Sequence, residues 1–175
     1  MSSFWITNDT QKRVEGRIIL KLQTLSGKTL FQDQFDATAP SNSSVQLITK
    51  NLDKLPLKDS RKEFLSVEFM ERDKILSENA LFFERYKHLD LKKTKPEIQV
   101  KQVSARDTTF EVNVSSRRFA KAAYLELPDV DASFDDNYFD LVPGRRKTVL
   151  IRTRQPITLR KLRSALVSGS VDSTR

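Results

Sequence analysis

There is no cysteine among the 175 residues, so no disulfide staples the fold and no thiolate serves as nucleophile or zinc ligand. No apolar run approaches the roughly 20 residues that span a bilayer, and Met1 to Asp9 lacks the basic end and apolar stretch of a signal peptide. The chain as given therefore reads as soluble, with no membrane partner expected. His88 is its one histidine, with no second imidazole to share a metal, so an ordinary surface role is expected of it. Only 4 glycines and 6 prolines are spread along the chain, which is not the composition of a disordered tail. No cofactor and no metal site is expected.

What is present is the make-up of a folded domain, 38% hydrophobic and 31% charged, long enough for one core or two small ones. The formal charge of +8 and pI near 9.8 bring nucleic acid to mind as a partner, because Lys and Arg release counterions from phosphates. The cations are interleaved with acids, however, as in Lys12, Arg13, Glu15, Arg17 and in Lys58, Asp59, Arg61, Lys62, Glu63. No RNA-binding glycine-aromatic signature or zinc-finger spacing accompanies them, and no nucleic-acid partner is expected.

The dominant period is two, that of half-buried antiparallel strands. Ile18, Leu20 and Leu22 alternate with Lys21 and Gln23, Ser26-Gly27-Lys28 turns the chain, and Thr29 to Phe35 returns as a hairpin. Pro40-Ser41-Asn42-Ser43-Ser44 breaks the chain again before Val45 and Leu47. Leu65, Val67 and Phe69 then alternate with Ser66 and Glu68, Arg72-Asp73-Lys74 reverses direction, and Ile75 to Phe83 closes the module. About seven strands are expected here, the number in an immunoglobulin-like sandwich.

Glu84 to Pro96 is charged and aperiodic, and the residue before a proline is driven to extended backbone, so this stretch ends in a linker. The expected division is 1–94 and 95–175. In the second module Ile98 and Val100, Phe110, Val112 and Val114, then Ala123, Leu125 and Leu127 again show strand alternation. An acidic loop from Asp129 to Asp136 follows, then a Pro143-Gly144 turn and a strand through Val149 and Ile151. Leu159, Leu162 and Leu166 have helical spacing behind a Thr158 cap, ahead of a last strand between Ala165 and Val171. The fold class is all-β, two tandem immunoglobulin-like antiparallel β-sandwiches.

One stretch carries more than periodicity. Phe134-Asp135-Asp136-Asn137-Tyr138-Phe139-Asp140-Leu141-Val142-Pro143-Gly144, with Lys147-Thr148-Val149 after it, resembles the last-domain signature of glycoside hydrolase family 2 β-mannosidases, "DNYFDL-x-PG" before a final strand. Arg13-Val14-Glu15-Gly16, Gly27-Lys28-Thr29-Leu30, Pro40 to Ser44 and Leu76-Ser77-Glu78-Asn79 with Leu81-Phe82-Phe83 resemble the preceding mannosidase immunoglobulin-like domain, so the resemblance covers nearly the whole chain. It implies a non-catalytic C-terminal accessory region. The parent would hydrolyse terminal β-mannosyl residues of oligosaccharides, with the catalytic barrel of the parent chain as the partner and oligosaccharide as a further one. The resemblance leaves periplasmic, secreted and lysosomal locations open for that parent.

The signature reads as structural. Asp136, Asn137, Tyr138, Phe139, Asp140, Leu141, Pro143 and Gly144 are its members. Strand alternation would set Tyr138, Asp140 and Val142 on one face and Phe139 and Leu141 on the other, with Asp136 and Asn137 fixing the start of the strand through side-chain to backbone hydrogen bonds. The family's catalysis needs two carboxyls about 5–5.5 Å apart for a retaining reaction, held on a barrel of about 250 residues. This chain is too short for such a barrel and has no glutamate in a matching context, so no catalytic residue is assigned and the chain alone is expected not to be an enzyme.

Other features favour plain readings. Asp129, Asp131, Ser133, Asp135 and Asp140 imitate part of a calcium loop, but Phe134 stands where such a loop needs glycine and Asp140 replaces the bidentate glutamate. Trp5, Tyr86, Tyr124 and Tyr138 have faces that can stack on sugar rings, with Trp5 the candidate for sugar contact. Asn8-Asp9-Thr10, Asn42-Ser43-Ser44 and Asn113-Val114-Ser115 match a glycosylation pattern common by chance. Arg160, Lys161 and Arg163 read as the solvated side of an amphipathic segment.

Overall fold

The computed structural model describes residues 2–103 and 108–171. The chain divides into two compact units, Met1–Thr24 with Lys28–Leu89, and Leu25–Gly27 with Asp90–Arg175. Every strand pairing in both is antiparallel.

In the first unit the strands are β1 (Ser2–Asn8), β2 (Val14–Thr24), β3 (Thr29–Ala39), β4 (Ser43–Lys50), β5 (Glu63–Glu71) and β6 (Lys74–Phe82). They form a two-stranded sheet, β1-β4, and a four-stranded sheet in the order β3-β2-β5-β6. The alternation read from the sequence sets the core: Ile18, Leu20 and Leu22 of β2 are buried beside Leu65 and Phe69 of β5 and Ala37 and Ala39 of β3. Phe4, Ile6 and Leu47 pack on this cluster from the smaller sheet. Six strands are described here instead of about seven. The connection from β4 to β5 contains a 3₁₀ turn, Leu52–Lys54, whose Asp53 N–H is capped by the Asn51 side chain.

The second unit contains β7 (Glu97–Gln102), β8 (Thr109–Ser115), β9 (Ala120–Glu126), β10 (Ala132–Phe134), β11 (Phe139–Leu141), β12 (Arg146–Thr153), α1 (Leu159–Ala165) and β13 (Val167–Gly169). One sheet runs β10-β12-β8-β7 and the other β11-β9-β13. Phe110 opposes Ile151 and Val112 opposes Val149 in the β8-β12 ladder, and all four are fully buried. Each such burial stabilises the fold by about 1.5–3 kcal/mol. The acidic loop is not wholly irregular, because its middle forms β10 and pairs Phe134 with Ile151. Apolar contact of Ala132 and Phe134 with the core outweighs the loop signal of the surrounding aspartates.

Helix α1 follows the sequence pattern. The Thr158 hydroxyl accepts the Lys161 N–H at 3.2 Å, Leu162 and Leu166 are buried, and Arg160, Lys161 and Arg163 lie on the exposed side. The Arg163 guanidinium also donates to the Val100 carbonyl at 3.0 Å.

Candidate functional site

The signature residues fall in the approach to β11, in β11 itself and in the turn after it, and the Asp136, Asn137 and Asp140 side chains each have a definite partner. The Asn137 side chain behaves as a piece of strand. Its Oδ1 accepts the Leu125 N–H at 2.9 Å, and its Nδ2 donates to the Leu125 carbonyl at 2.9 Å. Asp140 serves a different need. Strand β9 carries one extra residue where Phe139 pairs with Ala123 and Leu141 with Ala120, and Ala122 has φ +45°. The Asp140 carboxylate fills this irregularity, accepting the Ala122 N–H at 3.0 Å and the Lys121 ammonium at 2.6 Å.

Two details differ from the sequence reading. Asp136 makes an ion pair with Lys147 at 2.7 Å, and it is Asp135 whose carboxylate accepts a backbone N–H, from Leu150 at 2.7 Å. Alternation also fails along the motif, since Leu141 and Val142 are both buried. Its cause is local: Tyr138 has φ +60°, outside extended backbone, and the β9 irregularity shifts the register. Phe139 does share the core side with Leu141, and the Lys147 ammonium sits 5.6 Å from its ring centre. The turn beyond has the geometry its residues favour. Arg145 N–H bonds back to the Val142 carbonyl at 3.0 Å, with proline second and Gly144 third at φ +75°, a type II turn.

Tyr138 is 64% exposed and its ring lies 6.0 Å from that of Tyr124. Tyr124 in turn covers Gly169, where a Cβ would lie 2.4 Å from the phenol oxygen. Val167, opposite Glu126 on the same ladder, is also exposed.

In the first unit Trp5 occupies the outer side of β1 and is 61% exposed. It stands at the rim of a cleft between β1, an edge of the small sheet, and β6, an edge of the larger one. The cleft has a volume of about 280 Å³ and is lined by Ser2, Ser3, Phe4, Ser77, Asn79 and Leu81 beside Trp5. A broader trough of about 830 Å³ shares Trp5 and Ser77 with it and extends past Asp9, Lys12, Arg13 and Glu71. Sequence reasoning singled out Trp5 but not the β6 residues opposite, which look like any polar strand until the fold brings them to β1.

The remaining candidates stay apart from these features. His88 is half exposed beside Glu84, Nδ1 to Oε2 3.5 Å. Among the described residues no group of three or more His, Cys, Asp or Glu is arranged to hold a metal ion, and Asp131 of the acidic loop pairs with Arg154 at 3.3 Å. Asn8 is buried, its amide donating to the carbonyls of Lys12 at 2.8 Å and Ala39 at 3.0 Å.

Residues 2–88 match the Mannosidase_ig family, a mannosidase Ig/CBM-like domain, and residues 93–174 match the Ig_mannosidase family, an Ig-fold domain. Among solved structures the chain is similar to a β-D-mannosidase from Dictyoglomus thermophilum, with a TM-score of 0.82 and 26% identity over 97% of this chain and 20% of that one. It shares its fold with an exo-chitosanase from Amycolatopsis orientalis, with a TM-score of 0.64 and 15% identity over 95% of this chain and 24% of that one. The chain thus spans 20% and 24% of the lengths of these enzymes. A comparison with curated proteins gives no match. In sequence families and in fold, the chain belongs to the tandem immunoglobulin-like domains of mannosidase-type glycoside hydrolases.

Proposed function

We propose that this chain is the non-catalytic accessory region of a β-mannosidase, whose catalytic (β/α)₈ barrel removes terminal β-mannosyl residues from oligosaccharides with retention of configuration. The observation that carries the reading is order and coverage: the two domain families follow one another, and 97% of the chain aligns with 20% of the D. thermophilum β-D-mannosidase. On this reading the modules divide at 94/95. The signature from Asp136 to Gly144 has a structural role, because its Asp136, Asn137 and Asp140 side chains are spent on β12 and β9. The outer face of the β11-β9-β13 sheet, with Tyr138 and Val167 exposed, supplies apolar surface of the kind a packed neighbour covers.

The test is a paired assay with a chromogenic β-mannoside, comparing this chain with the full-length parent enzyme. Hydrolysis by the parent and none by the chain is the expected result. Inactivity of both would move the weight to a binding role, and turnover by the chain alone would overturn the accessory reading.

A further inference from the structure

We propose that the cleft between β1 and β6 is a binding site for a neutral oligosaccharide, with Trp5 as its stacking platform. The glycosidase reading guides only the choice of a mannose-based probe; the site itself rests on the chemistry of the cleft. An indole 61% exposed on a paired strand presents a flat apolar face at small entropic cost, the complement of the C–H face of a pyranose ring. Next to it the narrower cleft sets three serines and Asn79 over an apolar floor that includes Phe4, Ile18 and Phe69, with no charged side chain, in a chain of which 31% of residues are charged. Hydroxyl and amide groups donate and accept, as sugar hydroxyls do. The cleft has no Lys or Arg to counter a phosphate or uronate, and in the trough beyond it Lys12 and Arg13 stand among Asp9 and Glu71.

The amide of Asn79 keeps its donor for a ligand. Its Oδ1 accepts the Ala80 N–H at 2.8 Å, which directs Nδ2 as the donor. Beyond Trp5 the wider trough places Asp9, Lys12, Arg13 and Glu71 where the hydroxyls of a following sugar unit would lie. The wider trough, about 830 Å³, lies within the range of small-molecule sites, about 300–1,000 Å³, and the narrower cleft, about 280 Å³, just below it. A peptide strand is the poorer occupant. The register of β1 shifts between Phe4 and Trp5, and such irregularities discourage an added strand from pairing along an edge.

Trp5 is the only tryptophan in the chain, so its fluorescence reports on this site alone. Titration with mannotetraose is expected to quench or blue-shift the emission saturably at millimolar concentrations, with the same affinity at low and high NaCl. Asn79→Ala should weaken binding by about tenfold, the loss of one hydrogen bond. Trp5→Phe should retain binding and Trp5→Ala abolish it, both followed by calorimetry, with circular dichroism checking that the variants remain folded. No spectral change in the folded chain, or binding that survives Trp5→Ala, overturns the proposal. The outcome is independent of the chromogenic assay: an active parent with a silent Trp5 sinks the sugar site and leaves the accessory reading standing, and the converse result does the reverse.

Discussion

The side chain of Asn137 makes both hydrogen bonds that a neighbouring strand would offer to Leu125, at 2.9 Å to its N–H and 2.9 Å to its carbonyl. An asparagine reproduces the donor and acceptor of a peptide unit, which neither aspartate nor leucine of similar size can do. The signature residue that looks most like a polar recognition group is thereby committed to the sheet.

Asn137→Ala is expected to destabilise the chain by about 2–6 kcal/mol, since two part-buried backbone groups lose their partners at about 1–3 kcal/mol each. Asn137→Asp keeps the acceptor but sets a carboxylate against the Leu125 carbonyl, so it should not restore stability. Urea unfolding of the three proteins measures both effects.

Asp140→Ala removes the acceptor shared by the Ala122 N–H and the Lys121 ammonium. A loss of about 1.5–3 kcal/mol is expected for bonds to a charged group. Asp140→Asn should recover part of it, because the amide oxygen can still accept the Ala122 N–H. Equal losses in both variants would show that the charge alone matters.

Gly144 has φ +75° and open space around a Cβ, so substitution there tests conformation without packing. Gly144→Ala is expected to cost about 1–2 kcal/mol, and Gly144→Asn less, because asparagine tolerates the left-handed region. Thermal unfolding should rank glycine above asparagine above alanine.

The Asp33 carboxyl is held below its ordinary value by hydrogen bonding to the Lys50 ammonium, with further help from that charge and the Gln34 N–H against the opposing effect of burial. A carboxyl with a lower value folded than unfolded adds stability above the unfolded value and loses it as pH falls through the folded one. Asp33→Asn should therefore cost under about 1 kcal/mol at neutral pH, because the pair is solvent-screened. The stabilities of the two proteins should converge in acid, and salt should narrow the neutral-pH gap.

Leu162 is fully buried in the second unit while Arg160 of the same helix is exposed. Leu162→Ala is expected to cost about 2–5 kcal/mol, and Arg160→Ala to stay within about 0.5 kcal/mol. Denaturant midpoints distinguish the two.

Much of the fold was legible because its strands are half-buried. Ile18, Leu20 and Leu22, and Phe110, Val112 and Val114, stand at alternate positions and are buried as a set. The Thr158 cap and the Pro143-Gly144 turn were legible for a stereochemical reason, since few residues suit those positions. Less legible was whatever depends on a partner far along the chain. Ala132 and Phe134 form β10 only because β12 lies beside them, and the φ of Tyr138 has no signal in its own side chain. The Trp5 cleft belongs to the same class: Ser77 and Asn79 acquire significance only when β6 is brought opposite β1.

The Asn137 clasp on Leu125 also has a consequence for behaviour in concentrated solution. Strand β11 spans only Phe139–Leu141, so β9 outruns it, and main-chain groups there would otherwise be available to a foreign strand. By occupying them, the asparagine acts as a guard against self-association, and chains lacking it should aggregate along β9 even under conditions where they remain folded.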